Sequence, residues 1–300
     1  MPKLTLIKRK LSKAELVAGS LLVLVFVAIA IAAPLISPPQ TESPYQLPKD
    51  GWSLLPQPPG PDHPLGTLAG QYDVFYGLIW GTRLAFKIGL SIALGRAFIG
   101  VLLGLLSGYY GKLVDAVIMR ITDAFMAFPV MAAAMVMLTL FIRMQGLLLG
   151  SSERIIILTL ILFGWMQYAR LIRGNVLAER SKEYMQATLS VGVPARRILF
   201  RHLLPNVTQG LFVLIASDIG AMVVLVAAFN FIGLVGNPGG HPLADWGQML
   251  SLSRDWIIGT PVNAFEYWYT YLPPSLVIVL FSTSWNLIGD GLRDILDPHF

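Results

Sequence analysis

The chain has 300 residues, of which 55% are hydrophobic and only 13% are charged, and its formal net charge is +5. Soluble domains carry about 25% charged residues, so this composition excludes an ordinary soluble globular protein. The chain contains no cysteine, which excludes structural disulfides and thiolate metal sites.

The apolar residues fall in runs of about 20, the helix length that spans a hydrocarbon core of about 30 Å. We therefore predict an all-α polytopic membrane protein with six transmembrane helices. The first run follows a basic segment, as in a signal peptide, but it is longer than the apolar core of a signal, which favours an uncleaved helix. The predicted spans are 16–36, 84–107, 114–142, 155–172, 207–235 and 272–288.

The distribution of lysine and arginine predicts the orientation of these spans. With the N-terminus in the cytoplasm, the inner segments hold fourteen of these residues and the outer segments four. The positive-inside rule assigns the richer side to the cytoplasm. We therefore predict that both termini and residues 183–206 are cytoplasmic, and that the positive charge does not serve nucleic acid.

Two outer segments have distinct compositions. Residues 37–66 contain nine prolines, which favour an extended chain over a folded domain. The last outer loop, 236–271, is rich in tryptophan and tyrosine, which prefer the membrane–water interface. These aromatic rings form either an interfacial belt or a substrate-stacking surface, and the belt is the simpler interpretation.

Two features within the spans concern helix packing. Gly100, Gly104 and Gly108 recur every four residues in the second span and allow a neighbouring helix to approach closely. Pro129 in the third span removes one backbone hydrogen bond and clashes with the preceding turn, so we predict a kink there.

Charged residues inside the spans indicate pairing, because each costs about 2.5–3.5 kcal/mol near the bilayer centre on insertion scales. Arg96 and Asp218 lie deep in the second and fifth spans. We predict an intramembrane ion pair between them, which serves either the structure or the transport pathway. Lys87 and Arg120 lie near span ends, where long side chains reach the interface, and Asp123 is expected to pair with Arg120 one turn away.

No pattern indicates catalysis or a bound cofactor. The four histidines are scattered, without partners at metal-ligand spacing. Gly111-Lys112 is the nearest approach to a phosphate-binding loop, but Leu106 and Leu113 occupy the places of its first glycine and of its serine or threonine. We therefore predict a chain that is not an enzyme and holds no metal or nucleotide.

A polar, basic segment separates the fourth and fifth apolar runs, between Glu183 and Asn206. An isolated membrane anchor has no need of such a segment, whereas a membrane protein that grips a soluble partner does. The segment resembles the EAA loop of ABC importer permeases. Gln186-Ala187-Thr188 fill its first three places, Gly192 has the correct spacing, and Leu204-Pro205 close it.

Further segments, in the same order from residue 63 to the end, resemble the C-type permease of dipeptide, oligopeptide and nickel importers. They are His63-Pro-Leu-Gly-Thr67, Gly108-Tyr-Tyr-Gly111 with Asp115, Met119-Arg-Ile-Thr-Asp123 with Phe128-Pro129, Tyr168-Ala-Arg-Leu-Ile-Arg173, Arg201-His-Leu-Leu-Pro-Asn206, Phe231-Ile-Gly-Leu234, Trp246-Gly-Gln-Met-Leu250 and Asn286-Leu-Ile-Gly-Asp-Gly-Leu-Arg-Asp-Ile-Leu-Asp-Pro298.

This resemblance implies the ABC type I importer permease fold with cytoplasmic coupling helices, in a bacterial or archaeal cytoplasmic membrane. It implies a second homologous permease subunit, two ATPase subunits that carry the ATP and Mg²⁺, an extracytoplasmic solute-binding protein, and membrane lipid around the helices. The arginines of the loop would contact either ATPase carboxylates or anionic lipid. The residues implied to form the ATPase-coupling loop are Glu183, Tyr184, Gln186, Ala187, Gly192, Arg196, Arg197, Leu204 and Pro205.

The chain departs from the family pattern in several places, and the stretch Trp256–Pro273 is longer than usual. Gln186 replaces the usual glutamate of the loop, and Arg96 and Asp218 lie where the family is usually uncharged or small. After His63-Pro-Leu-Gly-Thr67 the usual acidic residue and Gly-Arg-Asp are replaced by Leu68-Ala-Gly70-Gln-Tyr-Asp73.

The predicted organisation is a cytoplasmic N-terminus and one helix, an outer loop, and a permease core of five helices. The boundaries are 1–15 for the terminus, 16–36 for the first helix, 37–83 for the Pro-rich outer loop and 84–300 for the core, which contains the coupling loop 173–206 and the outer loop 236–271.

We predict a pathway-forming subunit of an ATP-driven, solute-binding-protein-dependent importer for di- or oligopeptides, which couples ATPase motion to alternating access. Nickel complexes and oligosaccharides are alternative cargos. An ion-coupled secondary transporter is an alternative of another class, although six spans and no visible internal repeat argue against it. An intramembrane enzyme would need paired histidines and acids or a serine dyad, which the spans do not show.

Overall fold

The structure is a computed structural model that describes residues 2–143, 152–208, 210–234, 242–258 and 265–296. Within these ranges all regular secondary structure is helical, apart from three isolated β-bridges, which confirms the all-α prediction. In chain order the helices are α1 (Pro2–Ile36), α2 (Val74–Tyr110), α3 (Lys112–Met126), α4 (Val130–Arg143), α5 (Ser152–Leu162), α6 (Met166–Arg180), α7 (Glu183–Ser190), α8 (Ala195–Arg197), a π-helical segment (Ile198–Leu203), α9 (Leu204–Val207), α10 (Leu211–Phe231), α11 (Trp246–Leu252), α12 (Arg254–Ile258) and α13 (Trp268–Leu296).

Five segments of the described chain are long and apolar enough to cross a membrane, and a bent pair of helices provides a sixth candidate. The count agrees with the six predicted spans, although the boundaries differ. The five are Lys13–Ile36, Val74–Tyr110, Glu153–Arg180, Leu211–Phe231 and Trp268–Ile295, and the bent pair is Lys112–Met126 with Val130–Leu140.

Several helices extend beyond the predicted apolar runs. The second span begins at Val74 and not at residue 84, because Asp73 caps it and residues 37–73 help to bury Tyr76 and Trp80. A helix that leaves the bilayer can be covered by protein, so its ends need not be uniformly apolar. Hydropathy therefore finds the middle of these helices and misses their ends.

The six-span bundle is centred on α2. One face of α2 packs against α6 and another against α10, while α1 packs mainly against α13. The glycines of α2 form its contact with α6. A Cβ atom at Gly100 would overlap Tyr168, and one at Gly104 or Gly108 would lie 2.7 Å from Ala169 O or Val176 Cβ. The three glycines thus allow the close helix packing that their spacing predicts.

Residues 37–73 follow an irregular path over the N-terminal ends of α2 and α13. The indole of Trp80 donates to Ser37 O (2.9 Å), and the amide of Leu47 donates to Pro242 O (2.9 Å). The Tyr269 hydroxyl at the start of α13 donates to Pro56 O (3.3 Å). Although this segment is rich in proline and lacks a helix, it is fastened to three separate helices or loops.

The third predicted span is not one helix. Chain direction changes by 85° between α3 and α4, at residues 127–129, where Pro129 has no amide hydrogen to continue the helix and disfavours helical geometry at Phe128. The bend opens an apolar groove of about 510 Å³ lined partly by Phe125, Phe128 and Phe163. The predicted kink is therefore a break between two helices.

Candidate coupling site

The predicted coupling loop is largely helical. Its first residues, 173–180, belong to the end of α6, so the loop proper begins at Ser181. We call residues 181–207 the coupling segment. It contains α7, a turn, and a second helix made of α8, the π-helical segment and α9 in direct succession.

One face of the coupling segment is anchored to the membrane helices. Met185 of α7 and Ile198 and Leu203 of the second helix are fully buried. They form one apolar cluster with Leu105 of α2 and Val176 of α6. A displacement applied to the coupling segment is therefore delivered to the ends of α2 and α6 through packed side chains.

The opposite face is exposed and carries most of the residues predicted for coupling. Tyr184 is 42% exposed, and two apolar residues absent from the prediction, Val191 and Phe200, are 82% and 53% exposed. Phe200 was missed because it lies in a run of apolar residues whose π-helical winding changes which positions face outwards. The other predicted residues that lie exposed are Glu183, Gln186, Ala187, Arg196, Arg197 and Pro205, and Leu204 is half-buried.

Gly192 lies in the turn between the two helices of the segment. Its φ is +73°, in the left-handed region where glycine carries no steric penalty. No heavy atom of the described chain lies within 4 Å of the position that a Cβ would occupy. The space beside Gly192 is therefore open, and only its backbone conformation requires glycine.

The joint between α6 and α7 uses polar groups that were expected to face a partner. The side-chain amide of Gln186 donates to Arg180 O (3.0 Å), and so satisfies a carbonyl at the end of α6. The Tyr184 hydroxyl donates to Glu179 Oε1. Burial, and then this bond to the carboxylate, raise the pKa of Tyr184 above its ordinary value.

Three arginines toward the C-terminal end of α6 connect it to neighbouring helices. Arg173 binds Asp115 of α3 through two nitrogens, at 2.5 and 2.6 Å. Arg180 donates to Gly108 O of α2 (2.9 Å), and Arg170 lies 2.5 Å from Asp123 of α3. In the described chain the ion-pair partner of Asp123 is thus Arg170, and the expected pairing with Arg120 is wrong.

The pairs with Arg170 and Arg173 were missed because their members are about 50 residues apart in the chain. Their signal was present nevertheless: both arginines and both aspartates belong to the segments that resemble the permease family. Lys87, expected to extend to the interface, is half exposed and lies 2.9 Å from Glu153 of α5.

The structure brings Arg96 and Asp218 together inside the bundle. Arg96 Nη1 lies 2.8 Å from Asp218 Oδ1, and the two side chains are only 5% and 13% exposed. The Tyr168 hydroxyl donates to the other carboxylate oxygen (3.0 Å). This network joins α2, α6 and α10 at a depth where an unpaired charge would be costly.

Another polar cluster lies at the C-terminal end of α10. Asp245 accepts hydrogen bonds from Asn230 (2.7 Å) and from the backbone of Gln248 (2.9 Å). Burial raises the pKa of Asp245, although these bonds oppose the rise. Among the residues that the structure describes, no group of three or more His, Cys, Asp or Glu is arranged to hold a metal ion.

Comparison with known proteins agrees with this architecture. Residues 100–300 match the family described as "Binding-protein-dependent transport system inner membrane component". The glutathione transport system permease protein GsiD of Pectobacterium atrosepticum is 34% identical, over 97% of this chain and 89% of its own length.

Two further relatives are similar over nearly the whole chain. The dipeptide transport system permease protein DppC of Alkalihalophilus pseudofirmus is 33% identical, over 97% of this chain and 88% of its own length. The oligopeptide transport system permease protein OppC of Bacillus subtilis is 32% identical, over 93% of this chain and 84% of its own. The chain therefore belongs to the family of binding-protein-dependent transport system inner membrane components.

Proposed function

We propose that this chain is the pathway-forming permease subunit of an ATP-driven importer for di- or oligopeptides. The names of the relatives, which refer to dipeptide, oligopeptide and glutathione transport, support a peptide cargo. The observation that carries the coupling role is the two-sided coupling segment, buried against α2 and α6 on one face and exposed on the other.

The proposed partners follow from this assignment. Two ATPase subunits bind the exposed face of the coupling segment and carry the ATP and Mg²⁺. A second permease subunit completes the pathway, and a solute-binding protein delivers cargo on the side of residues 37–73. Both termini lie in the cytoplasm, as the distribution of basic residues supports.

The coupling segment suits this task because it is short, helical and packed. Closure of two ATPase domains moves Glu183 and the arginines of the second helix, and the buried face passes the displacement to α2 and α6. A ligand shifts such an equilibrium only if it binds the two states differently. Docking of the loaded binding protein and binding of ATP must therefore each favour one conformation of the bundle.

Replacement of Gly192 by leucine tests the coupling role. The left-handed backbone disfavours a side chain by about 1–2 kcal/mol, and the leucine side chain would project into the open space where we place the ATPase. We expect the variant to insert normally and to lose peptide uptake in vesicles that contain the solute-binding protein and ATP.

Gly233 offers a matched control. It has a similar φ of +78°, no heavy atom of the described chain within 4 Å of its Cβ position, and a place at the far end of α10. Gly233→Leu is expected to retain ATPase co-purification and uptake. Normal uptake by Gly192→Leu, or equal loss in both variants, would contradict the coupling role of this turn.

A further inference from the structure

The span Glu153–Arg180 is interrupted near its middle. α5 ends at Leu162 and α6 begins at Met166. Within the break the amide of Gly164 donates to Ile161 O (3.3 Å), whereas a regular helix would direct it to Leu160 O. The Leu160 carbonyl is therefore left without its helical partner, in a part of the chain where water is not available to replace it.

Arg96 of α2 supplies the missing donor. Its Nε lies 2.7 Å from Leu160 O, and the same guanidinium reaches Asp218 of α10 through Nη1. Asp218 in turn accepts the hydroxyl of Tyr168, in the first turn of α6. One buried arginine thus contacts the end of α5 directly, α10 directly and α6 through Asp218.

Gly164 leaves the space that this arginine occupies. A Cβ atom at residue 164 would overlap Nε and Cζ of Arg96, and the next nearest heavy atom is Cδ of the same side chain, 2.6 Å away. The break exposes the carbonyl that Arg96 binds, and the absence of a side chain at Gly164 lets Arg96 reach it. A side chain at 164 would displace the guanidinium from both Leu160 and Asp218.

The positions of these helices relate the network to coupling. α6 leads directly into the coupling segment at Arg180, and α10 begins at Leu211, shortly after the segment ends. Contacts at the coupling segment hold the inner ends of α6 and α2 together, and the Arg96 network holds α6 to α10 and α2 at a second level inside the membrane. α2 and α6 are therefore held together at two separated levels, and Leu211 at the start of α10 packs with Tyr168 of α6 at the second.

We propose that Arg96 is a positioning residue that locks α2, α6 and α10 into one unit, and that the break at Gly164 is the hinge about which this unit turns relative to α5. In that movement the apolar contacts of α5 with α2 and α10, and the Lys87–Glu153 pair, must shift. The hydrogen bond from Arg96 to Leu160 satisfies the carbonyl at the break without restoring a helical bond, so the hinge persists. This inference rests on the proposed coupling function, and it adds which parts of the chain move together.

Distance measurements between spin labels in the assembled importer test the hinge. The chain lacks cysteine, so pairs introduced at Leu158 of α5, Leu177 of α6 and Phe212 of α10 would be unique. All three native side chains are exposed, at 47%, 43% and 58%. With ATP, Mg²⁺ and vanadate, we expect the Leu158–Leu177 distance to shift and the Leu177–Phe212 distance to stay constant. A shift between Leu177 and Phe212, or no shift in either pair, would overturn the proposal.

A set of substitutions tests the role of Arg96 itself. Gly164→Ala is expected to reduce peptide uptake at least tenfold and to broaden the Leu177–Phe212 distance distribution. In the chain that carries Arg96→Ala with Asp218→Asn, no guanidinium remains to be displaced, and no buried charge is left unpaired. Adding Gly164→Ala to that chain should therefore cause no further change in either measurement.

Gly174→Ala serves as the matched control, because Gly174 is an exposed glycine of α6 with no heavy atom of the described chain within 4 Å of its Cβ position. It should leave uptake and the distance distribution unchanged. An equal effect of Gly164→Ala in both backgrounds would overturn the proposal, as would normal uptake and distances in Gly164→Ala. Failure of the coupling function itself would appear separately, as normal uptake by Gly192→Leu.

Discussion

Glu179 illustrates how one buried carboxylate sets the direction of a helix. Its side chain is only 8% exposed, and Lys182 Nζ lies 2.7 Å from Oε2, while the Tyr184 hydroxyl donates to Oε1. A buried carboxylate is costly unless it is paired and hydrogen-bonded. The two bonds that satisfy Glu179 therefore hold the start of α7 against the end of α6.

Tyr184→Phe is expected to loosen this joint. Loss of the hydroxyl removes one hydrogen bond to a carboxylate, worth about 1.5 kcal/mol and less at this partly exposed site. Amide exchange in α7 should then accelerate roughly fivefold, as measured by hydrogen–deuterium exchange. Tyr110→Phe is the control, since Tyr110 is exposed and its hydroxyl has no hydrogen-bond partner among the described residues. Equal exchange in the two variants would show that the Tyr184 hydroxyl does not hold α7.

The same contact predicts a pH dependence. The pKa of Tyr184 is raised above its ordinary value of 10.0 by burial and by the neighbouring carboxylate. The hydroxyl therefore keeps its proton, and its stabilising bond, below pH 10 in both the joined and the opened state. On the alkaline side, we expect exchange in α7 to accelerate only as the pH rises beyond that value, once intrinsic base catalysis of exchange is subtracted.

Among the elements, α3 is attached both by ion pairs and by the apolar contacts of Phe125 with Phe163 and Trp165. Thr122 is its only buried residue, and its attachments to α6 include the pairs Asp115–Arg173 and Asp123–Arg170. Exposed ion pairs contribute little each, although the two-nitrogen contact of Arg173 is the stronger geometry. α3 is therefore weakly attached to the bundle, and it is joined to α4 at a sharp bend.

Pro129→Ala is expected to straighten the bend between α3 and α4. The substitution restores an amide donor and removes a clash that costs a continuous helix about 3 kcal/mol. Spin labels at Ile121 and Leu140, which are 47% and 52% exposed, should then report a longer distance than in the native chain. An unchanged distance would show that the bend is imposed by packing and not by the proline.

The whole molecule shows which features follow from sequence and which do not. Apolar runs predict the spans because the bilayer demands them, and the repeat of Gly100, Gly104 and Gly108 predicts a close helix contact. The partner of that face, α6, could not be predicted, because spacing on one helix carries no information about its neighbour. The contacts of Asp115 with Arg173 and of Gly164 with Arg96 were missed for the same reason.

Arg96 and Asp218 form an instructive exception. Two opposite charges deep in different spans are each costly when unpaired, so each is expected to pair with the other. A charge on the surface of a soluble protein is hydrated by water, and its partner cannot be predicted in this way. The sequence gives no comparable constraint on Tyr168, whose hydroxyl completes the network, because tyrosine is common at many depths.

At the scale of the whole chain, the proposed orientation can be tested by thiol labelling. Ser53 and Ser190 are both exposed, and the native chain has no cysteine. In intact cells whose outer barrier is permeable to the reagent, an impermeant maleimide should label Ser53→Cys and should reach Ser190→Cys only after the membrane is opened. The reverse pattern would contradict the predicted orientation.

The attachment of residues 37–73 also constrains the biosynthesis of the protein. Tyr269 and Pro56 meet although they are 213 residues apart in the chain. A ribosome that adds about 5–20 residues per second needs roughly 10–40 s to cover that separation. The part of the segment around Pro56 must therefore wait for its partner until the last helix emerges, and its low tendency to form strands or helices keeps it from premature association during that interval.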